Sequence, residues 1–316
     1  MRYPWCMCLV LIIGALSACA PNDDSVPVAS VDLSNDQAPV AEFERIAYGG
    51  RLFDMWYEEI DGAFIPDDPD TPEVDGRGGP NGNGTLNRAD GTPLANTGHD
   101  YRFKNLLGWD MRGDAGIYGR DYQAKAWVLP TGPLSAEHAD VSRGEWIARV
   151  TNGDRELPAY GDVLSPEGIE ALIDFMLAVR DGQWPHPDDL YALSTDSPKG
   201  FVLAPGGDAE RGRRFYAAQC ADCHGDDATR IIFDNGEQSL GQHARYYGYA
   251  IAMIALSGEP GSNMGPELSL NVSAAKQTAT LLDLLAALCD RERYPRGAGT
   301  DPDVPDGDPR CGEYLR

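Results

Sequence analysis

The chain has 316 residues, a length that predicts two domains more readily than one. Lys and Arg number 26 against 50 Asp and Glu, so the net charge is −24 at pH 7. The chain lacks the Lys/Arg clusters that bind phosphate backbones, which argues against nucleic acid as a partner. Hydrophobic residues make up 42% of the chain, which is enough for ordinary globular cores and excludes a wholly disordered protein.

The first 19 residues have the composition of an export signal. Arg2 precedes an apolar run that is too short to span a bilayer, and the run ends in Leu16-Ser17-Ala18-Cys19. Small residues directly before a cysteine resemble the bacterial lipobox, which implies a lipid on Cys19 and a chain anchored on the periplasmic side of a bacterial membrane. We expect residues 1–19 to be this signal and the polar residues 20–40 to be a flexible tether. An ordinary signal peptide cleaved nearby is the alternative.

A cysteine–histidine motif stands in the last third of the chain. Cys220-Ala221-Asp222-Cys223-His224 has the spacing CxxCH, which is typical of covalent c-type haem attachment. Each thiol can form a thioether with a haem vinyl group, and the adjacent histidine then supplies a nitrogen to the iron. A disulfide oxidoreductase would need a thioredoxin-like βαβ pattern around the motif, and none is present. A zinc site would need a second pair of ligands, and no such pair accompanies the motif. The sequence therefore predicts one covalently attached haem c.

The seven cysteines can then be assigned one by one. Cys6 and Cys8 lie in the signal, one cysteine carries the lipid and two carry the haem, which leaves Cys289 and Cys311. In an oxidising compartment a remaining pair most simply forms a disulfide, which would hold the tail, residues 295–316, against the last helix. Two unpaired buried thiols are the alternative.

Two predicted helices flank the CxxCH motif. The first covers 209–219, with Asp208 as its N-cap, and the second covers 273–289 and has a broad stripe of leucines on one face. This order resembles class I c-type cytochromes, in which an N-terminal helix, CxxCH, a loop with the distal iron ligand and a C-terminal helix follow one another. The resemblance implies that residues 206–294 are a haem-binding cytochrome c domain.

The resemblance also implies a second iron ligand between His224 and the last helix. Met264 lies in a loop with the sequence GEPGSNMGP, where a methionine is a poor candidate for core packing. Members of the family usually have proline directly after this methionine, whereas Gly265 intervenes here. We expect His224 and Met264 to bind the iron; ligation by His243 and an open iron site are the alternatives. Met253 lies in an apolar helical run and is expected to pack in the core.

Residues 41–185 follow the same order of elements. An aromatic helix is predicted over 41–60, a Gly/Pro-rich insertion over 66–99, and an amphipathic helix over 165–181 with Ser165 as its N-cap. This half resembles the first domain of bacterial periplasmic two-domain cytochromes c. In those, a helix of the form GGRLYDxWW leads to a haem motif of the form YRCxxCHGWDYxG and then to a Met-Pro loop.

Placed on that pattern, the four haem-binding positions of the first half are apolar. Phe103, Leu106 and Leu107 stand where the family has its two cysteines and its histidine, and Leu157 stands where it has the distal methionine. The flanking residues of the motif are retained: Tyr101, Arg102, Gly108, Trp109 and Asp110. A lost porphyrin leaves a costly cavity unless large apolar side chains fill it. We expect residues 41–185 to be a degenerate, haem-free cytochrome c-like domain; an unrelated helical domain is the alternative.

These observations predict an all-α fold of two tandem cytochrome c-like domains with long loops, joined by a linker at 186–205. The expected protein is a membrane-tethered monohaem cytochrome that carries single electrons between respiratory or oxidative partners. Its acidic surface would steer protein partners with basic surfaces. Because His/Met ligation leaves no open iron position, we expect a carrier rather than an enzyme. An electron-accepting subunit of a periplasmic oxidoreductase, such as a dehydrogenase, is the alternative.

Overall fold

The computed structural model describes residues 37–68, 75–94, 101–117, 129, 138–154, 157–195, 197, 200–233, 238–268, 272–297 and 309–316. The predicted signal, Cys19 and most of the tether lie outside them. Within the described residues the α-helices are α1 (Gln37–Met55), α2 (Phe103–Leu107), α3 (Arg143–Asn152), α4 (Pro166–Arg180), α5 (Ala209–Gln219), α6 (Ala221–His224), α7 (Leu240–Ser257) and α8 (Ala274–Leu288). None of these helices is both long and apolar enough to cross a bilayer.

The fold is mostly helical, as predicted, and it also contains three short antiparallel strand pairs in the described part of the chain. These are β1 (Leu86–Asn87) with β2 (Pro93–Leu94), β3 (Tyr191–Leu193) with β4 (Phe201–Leu203), and β5 (Ile232–Phe233) with β6 (Gln238–Ser239). The sequence analysis did not predict them because strands of two or three residues are too short to show an alternating pattern.

The helix ends follow the capping residues in the sequence. Ser165 accepts a hydrogen bond from the Gly168 N–H at the start of α4, and Asp208 accepts from the first turn of α5. These two caps confirm the predicted starts of both helices. Helix α3, which the sequence analysis did not predict, begins with a capping box formed by Ser142 and Glu145.

Two helix pairs cross at glycines in the same way. A Cβ added to Gly49 of α1 would lie 2.8 Å from the Cβ of Phe175 on α4, and nearer still to a backbone carbonyl one turn earlier. A Cβ added to Gly212 of α5 would lie 2.9 Å from the Cβ of Ala287 on α8, again with a carbonyl one turn earlier nearer still. Only glycine allows the backbones to approach so closely.

The short helices α2 and α6 end in turns of matching geometry. Gly108 ends α2 with φ 76° and ψ 154°, and Gly225 ends α6 with φ 87° and ψ 161°. Three residues further on, Met111 and Ala228 both have positive φ, 54° and 64°. The Met111 N–H donates to the Gly108 carbonyl at 3.0 Å, and the Ala228 N–H donates to the Gly225 carbonyl at 3.2 Å. The same kind of helix crossing and the same kind of turn therefore each occur twice in the chain.

The described residues between Ala38 and Arg316 form one compact unit, and their buried apolar side chains form one hydrophobic core. Residues of the stretch assigned to a linker, 186–205, take part in this core. Tyr191 and Phe201 are buried, and the Phe201 ring packs 5.1 Å from the ring of Tyr249 on α7.

The C-terminal segment is held against the second half of the chain. A disulfide joins Cys289, at the end of α8, to Cys311, with their Cα atoms 5.9 Å apart. The Gly207 N–H donates to the Tyr314 hydroxyl at 2.7 Å. The tail therefore contacts both the start of α5 and the end of α8.

Candidate functional site

The CxxCH residues lie together on the turn that follows α5, which we call the attachment turn (residues 220–225). The His224 N–H donates to the carbonyl of Cys220 at 2.9 Å, so both cysteines and the histidine belong to one helical turn. The turn is fixed to α5 because the Tyr216 hydroxyl donates to the Gly225 carbonyl at 2.7 Å. The structure thus brings Cys220, Cys223 and His224 together.

His224 has the environment of a neutral imidazole. Its side chain is 8% exposed, and within the described residues its Nδ1 atom has no hydrogen-bond partner. Burial lowers the pKa of His224, because a charged imidazolium is poorly solvated there. A neutral ring is the form that donates a nitrogen to a metal. The His224 site therefore fits an iron ligand.

The two thiols of the attachment turn are not joined to each other. Cys220 is half-buried and Cys223 is exposed, and both are free cysteines. Burial and, secondly, the Glu267 carboxylate raise the pKa of Cys220 to about 12. Reactive dithiol centres instead depend on a lowered thiol pKa. The pair thus has the spacing needed for two thioether bonds, and Cys220 lacks the lowered pKa of a redox-active thiol.

Met264 lies in the segment after α7, which we call the Met264 turn (residues 258–268). The turn is closed by two hydrogen bonds at 3.0 Å: the Glu259 N–H donates to the Met264 carbonyl, and the Met264 N–H donates to Ser262 Oγ. The same turn carries Glu267, which lies within electrostatic range of Cys220. Met264 itself is half-buried.

His243, the alternative ligand, packs among aromatic rings. Its ring lies 5.2 Å from the ring of Phe233 and 5.2 Å from the ring of Tyr247 on its own helix. The Phe233 ring is also 6.5 Å from the His224 ring. The same phenylalanine thus contacts both histidines, and His243 Nδ1 already pairs with Gln238 at 3.3 Å.

In the first half, the four apolar residues that the sequence analysis placed at haem-binding positions are all buried. Phe103 is fully buried, and its ring packs 4.2 Å from the ring of Tyr160. Leu106, Leu107 and Leu157 belong to the same core. The space beside α2 is therefore filled by side chains.

The Met264 turn rests on the first half through contacts that sequence reasoning missed. Arg51 Nη1 donates to the carbonyl of Ser257 at 3.0 Å, and the Gly261 N–H donates to Glu59 Oε1 at 3.0 Å. Each contact joins residues more than 200 positions apart. Nothing in the local sequence pattern predicts such pairs.

Comparisons with known proteins do not identify the chain. No protein-family model, no curated protein and no solved structure matches it. Within the described residues there is also no group of three or more His, Cys, Asp or Glu side chains arranged to hold a metal ion. The chemistry of the attachment turn itself is therefore the guide to function.

Proposed function

We propose that this chain is a membrane-tethered periplasmic cytochrome with a single covalent haem c, which carries electrons between protein partners. The observation that carries the proposal is the attachment turn: two free thiols and a buried His224, whose pKa is lowered by burial, lie on one helical turn. A haem bound there supplies one-electron chemistry at its iron.

Residues of the chain would hold and orient the haem. Cys220 and Cys223 would attach it through thioethers, His224 would supply the proximal nitrogen, and Met264 would be the distal ligand. The Tyr216–Gly225 hydrogen bond at 2.7 Å fixes the attachment turn to α5 and so holds Cys220, Cys223 and His224 in one arrangement. With both protein ligands bound, the haem would supply electron transfer rather than catalysis on a substrate.

We further propose that the two halves are tandem cytochrome c-like domains, at 41–185 and 206–294, and that the first has lost its haem. Two features support this proposal. The glycine crossings of α1 with α4 and of α5 with α8 match, and the turns after α2 and α6 match in φ and ψ. The buried Phe103 then fills space that a porphyrin would need.

The remaining parts of the proposal concern location and partners. A lipid on Cys19 would tether the chain to a bacterial membrane, and residues 20–40 would give it reach. The Cys289–Cys311 disulfide agrees with an oxidising compartment. With a net charge of −24, association with a basic partner should slow as salt rises.

Expression with export and cytochrome c maturation tests the haem. We expect the purified protein to be coloured and to keep its haem after denaturation, because the bond is covalent. The Cys220→Ser/Cys223→Ser variant should lose covalent haem, whereas the control Cys289→Ser/Cys311→Ser should retain it. A colourless wild-type protein would contradict the proposal.

Carbon monoxide tests the distal ligand. The reduced wild-type protein should resist CO, because both axial positions are filled by the protein. Met264→Ala should bind CO promptly and have a lower reduction potential, since methionine ligation raises the potential. Met253→Leu, a volume-conserving change at a methionine buried in α7, serves as the matched control and should behave as wild type. An unchanged spectrum in Met264→Ala would reject Met264 as the ligand.

A further inference from the structure

We propose that the haem-free first half holds the Met264 turn in place, with Arg51 and Glu59 as positioning residues that determine how firmly the distal ligand is presented. This inference rests on the proposed function. It assigns the first half a direct role at the haem site of the second half.

An ion pair of the first half binds both the end of α7 and the Met264 turn that follows it. Arg51 Nε lies 3.2 Å from Glu59 Oε2, and both side chains are largely shielded from water. The guanidinium also binds the Ser257 carbonyl at the end of α7, and the carboxylate binds the Gly261 N–H, each at 3.0 Å. The pair therefore holds the end of α7 and the turn that follows it.

Glycines allow the two halves to meet closely at these points. A Cβ on Gly50 would lie 2.7 Å from the Cβ of Ser257. Gly261 has a φ of +65°, and its added Cβ would lie 3.0 Å from the Cβ of Glu58. A side chain at Gly50 would push α1 away from the end of α7, and one at Gly261 would push the Met264 turn away from Glu58.

A buried charge cluster supports the same contact from α1 and α2. Asp54 is 2% exposed and binds Arg102 at 3.0 Å as well as Lys104. Although burial opposes its charge, Lys104 and Arg102 hold the pKa of Asp54 below its usual value. Glu259 lies within electrostatic range of this cluster, and its N–H binds the Met264 carbonyl at 3.0 Å. Lys104 and Arg102 flank Phe103 in the sequence, so the charges on either side of the proposed former attachment position act on Glu259 of the Met264 turn.

The physical consequence concerns order in the Met264 turn. Residues 261–263 of the turn are exposed, so contacts with the first half add to its order. Fixing the backbone of a turn in advance strengthens the bond that its side chain makes. Removing the carboxylate of Glu59 releases the Gly261 N–H and leaves Arg51 with the Ser257 carbonyl but without its ion-pair partner. The turn should then open more often and expose the iron more often.

The test compares Glu59→Ala with Glu170→Ala in the full-length, haem-loaded protein. Glu170 is the matched control because its carboxylate pairs with Arg143 on an exposed face of the first half. We expect Glu59→Ala to speed CO binding to the reduced protein by roughly tenfold, which corresponds to about 1.4 kcal/mol. Hydrogen exchange at the Gly261 amide should speed up similarly. Glu59→Gln keeps an acceptor oxygen, so its CO binding rate and its Gly261 exchange rate should both lie close to those of the wild type. Arg51→Met should change both rates as Glu59→Ala does.

The outcomes separate this inference from the proposed function. If the wild-type protein carries haem and resists CO, but Glu59→Ala and Arg51→Met match Glu170→Ala in both measurements, the inference alone is wrong. If the wild-type protein carries no haem, its visible spectrum overturns the proposed function and the inference with it. Faster CO binding and exchange in both variants, with recovery in Glu59→Gln, would support the positioning role.

Discussion

Replacing Gly212 by alanine tests the crossing of α5 and α8, on which the placement of the attachment turn depends. The added Cβ would lie 2.9 Å from the Cβ of Ala287 and nearer still to the carbonyl of Asp283. Ordinary carbon contacts are about 3.5–4.0 Å, so the helices would have to separate by roughly 1 Å. Asp283 resists that separation because its carboxylate accepts from the Asp208 N–H and from Arg211.

Two opposing effects set the expected magnitude. Overpacking costs about 1–3 kcal/mol, and conflict with a backbone carbonyl places Gly212→Ala at the upper end. Alanine in a helix returns up to about 1 kcal/mol. We therefore expect a net loss of about 2 kcal/mol in the free energy of unfolding. Gly144→Ala in α3 is the control, because nothing lies within 4 Å of its added Cβ; it should be neutral or slightly stabilising.

Urea unfolding followed by circular dichroism measures the difference between the two variants. If the free energies of unfolding of Gly212→Ala and Gly144→Ala differ by less than about 0.5 kcal/mol, the helices do not cross as closely as described, and the prediction is wrong. Gly49→Ala extends the test to the first half. Since its surroundings match those of Gly212, a loss of similar size is expected.

Three further variants test other parts of the account. Phe103→Ala should cost about 3–5 kcal/mol, because it removes a fully buried ring packed on Tyr160; a loss below about 1 kcal/mol in urea unfolding would show that the ring fills no needed space. Burial and the nearby Asp188 charge raise the pKa of Asp110 from 3.8 to about 6, although Arg112 opposes the shift. The native state therefore binds the proton of Asp110 more tightly than the unfolded chain does. As the pH rises from about 4 to about 6, the free energy of unfolding of the wild type should fall by on the order of 2–3 kcal/mol. Asp110→Asn should not show that fall. If the wild type and Asp110→Asn lose stability in parallel with pH in urea unfolding, the raised pKa of Asp110 is refuted. Cys289→Ser/Cys311→Ser should lose about 3 kcal/mol, since the disulfide closes a loop across 22 positions. An unchanged melting temperature would contradict this.

The sequence predicted local features of the fold well. Asp208 and Ser165 mark helix starts by their side-chain oxygens, and both caps are present. The CxxCH spacing placed two thiols and a histidine on one turn because a helical turn has fixed geometry. Such features depend on neighbours within four residues, which the sequence shows directly.

Contacts between distant segments could not be predicted in the same way. The Gly261–Glu59 and Arg51–Ser257 hydrogen bonds depend on how the two halves pack, and no local pattern encodes that packing. The short β3–β4 pair was likewise hidden in a stretch expected to be a linker. Tyr191 and Phe201 make it part of the core, and only the folded arrangement reveals their shared partner on α7.

The most direct test of the central claim is the mass of the exported, purified protein and of its proteolytic peptides. The account predicts one haem, covalently bound to the peptide that contains Cys220 and Cys223, and none on the peptide that contains Phe103. A protein without haem mass would contradict the proposed function. A second covalent haem would contradict the haem-free first half.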